Sequence, residues 1–238
     1  MPRPRRHSGE SAVPDSASIF AGSFLGPSLP LDAAKILIGG MEPCRFRAGE
    51  QIWAASTEVK YLAVVHTGLI RMTRSAPQGS EVSVEILGPG DCVGIFAALG
   101  YSHYPLNAWA VLDTWCMKIP RSDWQRAWEA SQILREQVTS QLAPRLLGSY
   151  DFMATMLCGT VEQRLAQVIL KLAERNNRIN GLSHALFAEL AHTTVETCIR
   201  TTSRWQEKGW LEKGYKCLIL RRPDMLLQIL HSSRASSA

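Results

Sequence analysis

The chain has 238 residues, of which 46% are hydrophobic and 20% are charged, an ordinary globular composition with enough apolar residues for one or two cores. Up to Cys158, 14 Lys and Arg balance 14 Asp and Glu, whereas residues 159–238 contain 12 Lys and Arg and 7 Asp and Glu. The basic C-terminal part predicts a module that binds a polyanion. There is no apolar run long enough for a transmembrane helix. A polar stretch after the first arginines argues against a secretory signal. We therefore expect a cytoplasmic protein without membrane contact.

Residues 1–18 are small, polar and rich in proline and arginine, which predicts a flexible basic tail. From Cys44 to Pro120, strand-like segments alternate with glycine-containing turns; they lie at 61–66, 69–73, 81–87 and 108–119. Many short strands of this kind predict a β-sandwich or a small barrel.

The periodicity becomes helical after Pro120. Ser122 is the expected N-cap of a first helix. A longer helical stripe follows, with members three or four residues apart: Leu134, Val138, Leu142, Leu146, Ser149, Met153 and Met156. A stripe of this length between two modules favours packing against a second copy of the chain rather than against its own core. We expect Pro144 to kink the helix or to begin a new segment.

The most informative segment is 183–220. Ser183 is expected to cap a short helix, and a turn at His192 leads into a second helix that a Thr193–Glu196 capping box opens. Cys198 falls where a small side chain must face the first helix. A hairpin follows at about 210–220, so the segment predicts a winged helix-turn-helix.

The exposed face of the second helix contains residue types that read base edges. We expect the following residues to contact bases: Val195, Glu196, Ile199 and Arg200. A second set is expected to contact phosphates: Thr194, Ser203, Arg204, Lys208, Lys213 and Lys216. Two simpler interpretations remain open, namely that Glu196 only caps the helix and that Arg200 is only a solvated charge.

Five segments together resemble the cyclic-AMP receptor/fumarate–nitrate regulator (CRP/FNR) superfamily of bacterial transcription factors. They are FRAGE (46–50), TGLIRM (67–72), GSEVSVEILGPGDCVG (79–94), VEQRLAQVILKLAE (161–174) and TTVETCIRTTSRWQEKGWL (193–211). The resemblance implies an α+β protein: a jelly-roll-like β-roll effector domain at 19–130, a dimerisation helix at 131–158 and a winged helix-turn-helix DNA-binding domain at 159–238. It also implies RNA polymerase as a partner.

The same resemblance implies an effector pocket around Gly94, Ile95, Phe96, Leu106, Asn107 and Trp109. The family's cyclic-AMP site needs a Glu after the glycine and an Arg-Ser/Thr pair for the phosphate, and this chain has Ile95 and Leu106-Asn107 instead. A buried phosphate without its arginine would be uncompensated, which argues against cyclic AMP.

No cysteine precedes Cys44, which argues against the family's iron–sulfur cluster, and the scattered cysteines predict no metal site. Haem stays open, with His66, His103 or a cysteine as axial ligand. Oxidation of Cys198 could switch DNA binding, although an inert buried thiol is the simpler interpretation.

These observations predict a transcriptional regulator that binds a palindromic DNA site as a homodimer, under an effector or redox signal other than cyclic AMP. The alternative is a ligand- or haem-sensing adaptor that acts through protein contacts with a degenerate DNA module. The sequence contains no catalytic motif, so we do not expect an enzyme.

Overall fold

The computed structural model describes most of the chain. The described residues are 15–23, 25–26, 29–75, 79, 81–95, 99–173, 177–181, 183–215 and 217–232. In this part of the chain, no helix is long and apolar enough to cross a membrane.

Eight strands form the N-terminal β-roll as two four-stranded antiparallel sheets, with orders β1-β8-β3-β6 and β2-β7-β4-β5. Their bounds are β1 Glu42–Phe46, β2 Gln51–Trp53, β3 Tyr61–Thr67, β4 Ile70–Ser75, β5 Glu81–Leu87, β6 Cys92–Val93, β7 Asn107–Ala110 and β8 Thr114–Pro120. Apolar side chains from both sheets, including Trp53, Val65 and Met72, fill the space between them together with Tyr104 from the loop before β7.

The single strand expected at 108–119 is wrong, because the structure has two strands there. β7 belongs to one sheet and β8 to the other, so the chain must turn between them. Thr114 stabilises this corner by accepting a hydrogen bond from the Leu69 amide at 3.1 Å. Gly68 has φ +94°, and a Cβ there would lie 2.6 Å from the Thr114 Cα, so the close approach of the two segments requires glycine.

Two short helices precede the β-roll, α1 (Ser16–Ala21) and α2 (Leu31–Gly39). The flexible tail expected at 1–18 is therefore too long, because residues 16–18 belong to α1. Residues 1–14 lie outside the described part. Asp15 caps α1 by accepting a bond from the Ser18 amide at 3.1 Å, and Ile19 and Phe20 are buried against the β-roll.

Helix α3 (Arg121–Ala130) begins one residue before the expected cap. Its N-cap position is Pro120, with no side-chain bond, so Ser122 lies inside the helix. Pro fits just before a helix because its fixed φ and missing N–H cost nothing there. Trp124 and Ala127 of α3 are fully buried.

Helix α4 (Gln132–Cys158) is one continuous element of 27 residues that includes Pro144, so no new segment begins there. Pro144 has no N–H, so the Ser140 carbonyl loses its helical hydrogen-bond partner. Both residues are exposed, and water can therefore donate to that carbonyl.

The stripe predicted to face a partner is wrong for the members that the chain's own core buries. Leu134 and Val138 are fully buried in the chain's own core beside α1 and α2, and Leu142 and Met156 pack against clusters of the same chain. Ser149 and Met153 are half-buried, and Leu146 is exposed. The β-roll and the N-terminal helices, whose packing the periodicity could not reveal, cover the N-terminal part of this face.

The C-terminal module combines four helices with a three-stranded antiparallel sheet of order β10-β11-β9. Its elements are α5 Val161–Ala173, β9 Arg178–Asn180, α6 His184–Leu190, α7 Val195–Glu207, β10 Leu211–Gly214, β11 Cys217–Leu220 and α8 Pro223–His231. Its core, which includes Leu165, Phe187 and Trp205, is continuous with Leu69 and Ile86 of the β-roll.

Candidate DNA interface

Helices α6 and α7 with the turn between them form the predicted helix-turn-helix. Ser183 caps α6 by accepting a bond from the Leu186 amide at 3.2 Å. The Thr193 amide then donates to the Ala188 carbonyl at 2.9 Å and closes the turn. His192 has φ +48°, the left-handed conformation expected of this position, which a histidine tolerates better than most residues.

The capping box expected at Thr193 and Glu196 is wrong by one position. Thr194 is the N-cap of α7, and its hydroxyl accepts a bond from the Thr197 amide at 3.2 Å. Either threonine could serve this purpose by type, and the turn geometry at His192 decides between them. Glu196 therefore lies in the first turn of α7 as an exposed side chain with no part in this capping bond.

The inner face of α7 packs into the module. Cys198, Thr202 and Trp205 are buried, and the Thr202 hydroxyl donates to the Cys198 carbonyl at 2.9 Å. Burial raises the pKa of the Cys198 thiol to about 11, so this thiol stays protonated at neutral pH. Cys198 is completely buried in the same apolar cluster as Phe187 and Ala188 of α6, which agrees with its predicted position against the first helix.

The outer face of α7 brings the predicted base-reading residues together in its first two turns. Val195, Glu196, Ile199 and Arg200 are all exposed, as is Thr194 at the cap, and Ser203 one turn later is half-buried. The exposed side of the helix therefore offers apolar, acidic and basic groups beside the N-terminal amides, whose partial positive charge favours phosphate.

The predicted phosphate contacts differ in their surroundings. Arg204 forms an ion pair with Glu162 of α5, so its charge is already engaged within the chain. The Lys208 ammonium lies 4.7 Å from the centre of the Trp210 ring, and Lys213 is exposed on strand β10 of the hairpin. Lys216 lies outside the described residues.

Arg164 of α5 is a site residue that the sequence analysis missed. Its guanidinium donates to the carbonyls of Ala191 at 2.8 Å, His192 at 3.2 Å and Gly159 at 2.7 Å. The planar fork of an arginine suits several fixed acceptors at once, so Arg164 holds the turn that orients α7. No sequence spacing signals this role, because two of the acceptors lie 27 and 28 residues further along the chain.

The predicted effector residues lie in different surroundings, and Phe96 is outside the described part. Ile95 is buried beside Trp124 and Leu134. The Leu106 carbonyl accepts a hydrogen bond from the Trp53 indole at 3.2 Å. The Trp53 ring covers Gly94 and stacks on Tyr104 with a distance of 4.3 Å between the ring centroids. The sequence analysis did not single out Trp53.

The predicted effector residue Asn107 is bound by a carboxylate. The Asn107 amide donates to Glu81 at 2.9 Å and accepts from the Ala55 amide at 2.7 Å, and the Thr73 hydroxyl donates to the second Glu81 oxygen at 2.7 Å. The Glu81 carboxylate therefore places a negative charge beside Asn107, which disfavours a phosphate at this position. Trp109 lies beside them on β7, and its buried indole N–H has no hydrogen-bond partner among the described residues.

Two ion pairs link the β-roll to the helices that follow it. Arg145 of α4 binds both carboxylate oxygens of Glu85 on β5, at 2.6 and 2.9 Å, and donates to the Cys92 carbonyl at 2.9 Å. Burial opposes the charge of Arg145, but the Glu85 carboxylate more than offsets this and raises the pKa of the guanidinium. Arg71 of β4 binds Glu189 of α6 at 2.9 Å, so the sheet contacts the helix-turn-helix directly.

Comparison with known proteins agrees with this architecture. A family model described as cyclic nucleotide-binding domain matches residues 43–131, and one described as Crp-like helix-turn-helix domain matches residues 163–229. The CRP-like cAMP-activated global transcriptional regulator of Mycobacterium tuberculosis is 25% identical over 87% of this chain and 95% of its own length. The fumarate and nitrate reduction regulatory protein of Escherichia coli K12 is 27% identical over 78% of this chain and 77% of its own.

Among solved structures, FixK2 from Bradyrhizobium japonicum superposes with a TM-score of 0.66 at 22% identity, over 79% of this chain and 96% of that one. This likeness concerns the fold. The two family models together cover about two-thirds of the sequence, in the order in which the structure places the β-roll and the helix-turn-helix. The chain belongs to the CRP/FNR family of DNA-binding transcriptional regulators.

Proposed function

We propose that the protein binds a two-fold symmetric DNA site as a homodimer, with one copy of α7 in the major groove of each half-site. The observation that carries the proposal is the exposed N-terminal face of α7, opposite a fully packed inner face. The proposed division assigns 19–130 to the effector domain, 131–158 to the dimerisation helix and 159–238 to the DNA-binding domain.

Each exposed side chain of α7 suits a particular group in the groove. Arg200 can donate two hydrogen bonds to the O6 and N7 atoms of guanine, and Glu196 can accept from the N4 amino group of cytosine. Val195 and Ile199 offer apolar contact to a thymine methyl group. Thr194, Ser203, Lys208, Lys213 and Lys216 would contact phosphates, and Arg204 would do so only after leaving Glu162.

A second face of α4, distinct from the stripe discussed above, supports the homodimer. Five exposed residues on it are spaced alternately four and three apart, the repeat of a coiled-coil seam: Ala143, Leu147, Tyr150, Ala154 and Leu157. Two α4 helices packed along this seam would bring two α7 helices to one duplex, with half-site centres about 34–36 Å apart.

The signal that controls DNA binding enters, we infer, through the β-roll and is not cyclic AMP. Glu81 supports this exclusion, because its carboxylate already takes the hydrogen bonds of Asn107 and Thr73. The Arg71–Glu189 pair supports direct transmission from the sheet to the helix-turn-helix. In this role the protein would act in the cytoplasm and contact RNA polymerase at the promoter.

Selection of bound duplexes from a random pool tests the proposal. We expect a palindromic consensus from the full chain. Arg200→Ala should relax base preference at one position of each half-site, by about 1–3 kcal/mol per base pair. The matched variant Lys213→Ala should weaken all duplexes alike and reduce the salt dependence of binding. A consensus without symmetry, or one that Arg200→Ala leaves unchanged, would contradict the proposed reading.

A further inference from the structure

We propose that Cys44 and Cys116 are a thiol oxidation site, at which hydrogen peroxide converts the two side chains into a reversible intrachain disulfide. The inference does not depend on the DNA-binding role. It rests on three observations: the register of two strands, the contact of the Cys44 thiol with Cys116, and the different exposure of the two sulfurs.

The first observation is that Cys44 on β1 and Cys116 on β8 are directly opposite each other in an antiparallel pair. Opposed residues in such pairs have Cα atoms about 4.5–5.5 Å apart, within the range of about 4.4–6.8 Å found across disulfides. The two cysteines lie 72 positions apart in the sequence, and this separation hid their pairing from the sequence analysis.

The second observation is that the Cys44 thiol contacts Cys116. It donates to the Cys116 carbonyl oxygen at 3.5 Å. Interaction with the Cys116 side chain, together with the nearby Lys118 ammonium, outweighs partial burial and the Glu42 charge and holds the pKa of Cys44 below its ordinary value. The corresponding interaction with Cys44, together with burial, raises the pKa of Cys116.

The third observation is that the sulfurs differ in access. Cys44 is half-buried at the edge of its sheet, because β1 is the terminal strand, whereas Cys116 is buried between β1 and β3. An oxidant can therefore reach Cys44 first, and Cys116 is placed to attack the product. This is the arrangement of a reactive thiolate beside a resolving thiol.

The chemistry balances in two steps. The Cys44 thiolate attacks one oxygen of hydrogen peroxide, so that an S–O bond forms, the O–O bond breaks and hydroxide leaves, giving a sulfenic acid. The Cys116 sulfur then attacks the Cys44 sulfur and loses its proton, so that the S–S bond forms while the S–O bond breaks and water leaves. Two thiols lose two electrons and the peroxide becomes two waters.

Peptide mapping of the reduced full chain tests the site. The protein is treated with stoichiometric hydrogen peroxide, blocked with N-ethylmaleimide and digested without reductant. Trypsin with Asp-N separates Cys92 from Cys116, so the expected product is a cross-link between peptides 36–45 and 113–118 that dithiothreitol removes. The matched control Cys158→Ser, at an exposed cysteine of α4, should retain this cross-link.

Two variants separate the roles of the sulfurs. Cys44→Ser should abolish the cross-link, and Cys116→Ala should abolish it while leaving a Cys44 sulfenic acid that dimedone labels. The proposal is wrong if Cys44 stays reduced while exposed Cys158 is oxidised. It is also wrong if Cys44 is linked to Cys92, or if Cys116→Ala gives no dimedone adduct at Cys44.

Discussion

The seam on α4 makes a quantitative prediction about Leu147. This side chain is 62% exposed in the single chain, and complete burial of a leucine stabilises by roughly 1.5–3 kcal/mol. Covering the exposed fraction is therefore worth about 1–2 kcal/mol, and because a symmetric dimer contains the contact twice, about 2–4 kcal/mol per dimer. We expect Leu147→Ala to raise the dimer Kd on the order of 30- to 700-fold.

Sedimentation equilibrium on the full chain measures this Kd directly. Leu31→Ala is the matched control, because Leu31 on α2 is 67% exposed but lies outside α4, and it should leave the dimer Kd unchanged. Binding to a palindromic duplex should weaken with Leu147→Ala only at protein concentrations below the new Kd. A dimer Kd that both substitutions change equally, or that neither changes, would refute the assignment of this face.

Three further outcomes follow from individual contacts. Arg164→Lys should lower duplex affinity, and it should lower the free energy of unfolding by about 1.5–3 kcal/mol, because an ammonium cannot reach three carbonyls. Duplex binding and urea titration measure these two quantities. Unchanged values would exclude the role of Arg164 in holding the turn. Arg145→Met should lower the free energy of unfolding by about 3–5 kcal/mol, because it leaves the Glu85 carboxylate buried without its partner. Adding Glu85→Leu should restore most of the lost free energy in the same urea titration. An unchanged free energy of unfolding in Arg145→Met would show that the ion pair does not stabilise the fold. Because burial raises the pKa of Cys198 to about 11, roughly one molecule in a thousand carries the Cys198 thiolate at pH 8. Iodoacetamide should therefore label the exposed Cys158 long before Cys198. Equal labelling rates of the two cysteines would contradict the packing of α7.

The parts of the molecule that the sequence analysis predicted well depend on local signals. Ser183 before an apolar run, a turn with His192 in the left-handed region and Gly209 after the last helical turn all act over a few residues, so the helix-turn-helix could be predicted nearly to its boundaries. The misplaced cap at Thr193 has a local cause too, because two adjacent threonines suit the same function and only the backbone of the turn separates them.

The face of α4 that remains exposed could not be predicted in the same way. Its apolar residues follow two adjoining stripes, and periodicity alone does not reveal which stripe the rest of the chain covers. Helices α1 and α2 and the β-roll bury Leu134 and Val138 and leave Leu147 and Leu157 exposed.

The amino-acid sequence by itself therefore determined the family, the order of the modules and which face of α7 is exposed, because capping, helical period and turn chemistry act between near neighbours. Only the tertiary structure decided that Arg164 holds the turn, that Glu81 binds Asn107 and that Cys44 lies opposite Cys116. Each of these contacts joins residues distant in the chain, and their positions are set by packing and strand register rather than by local preference.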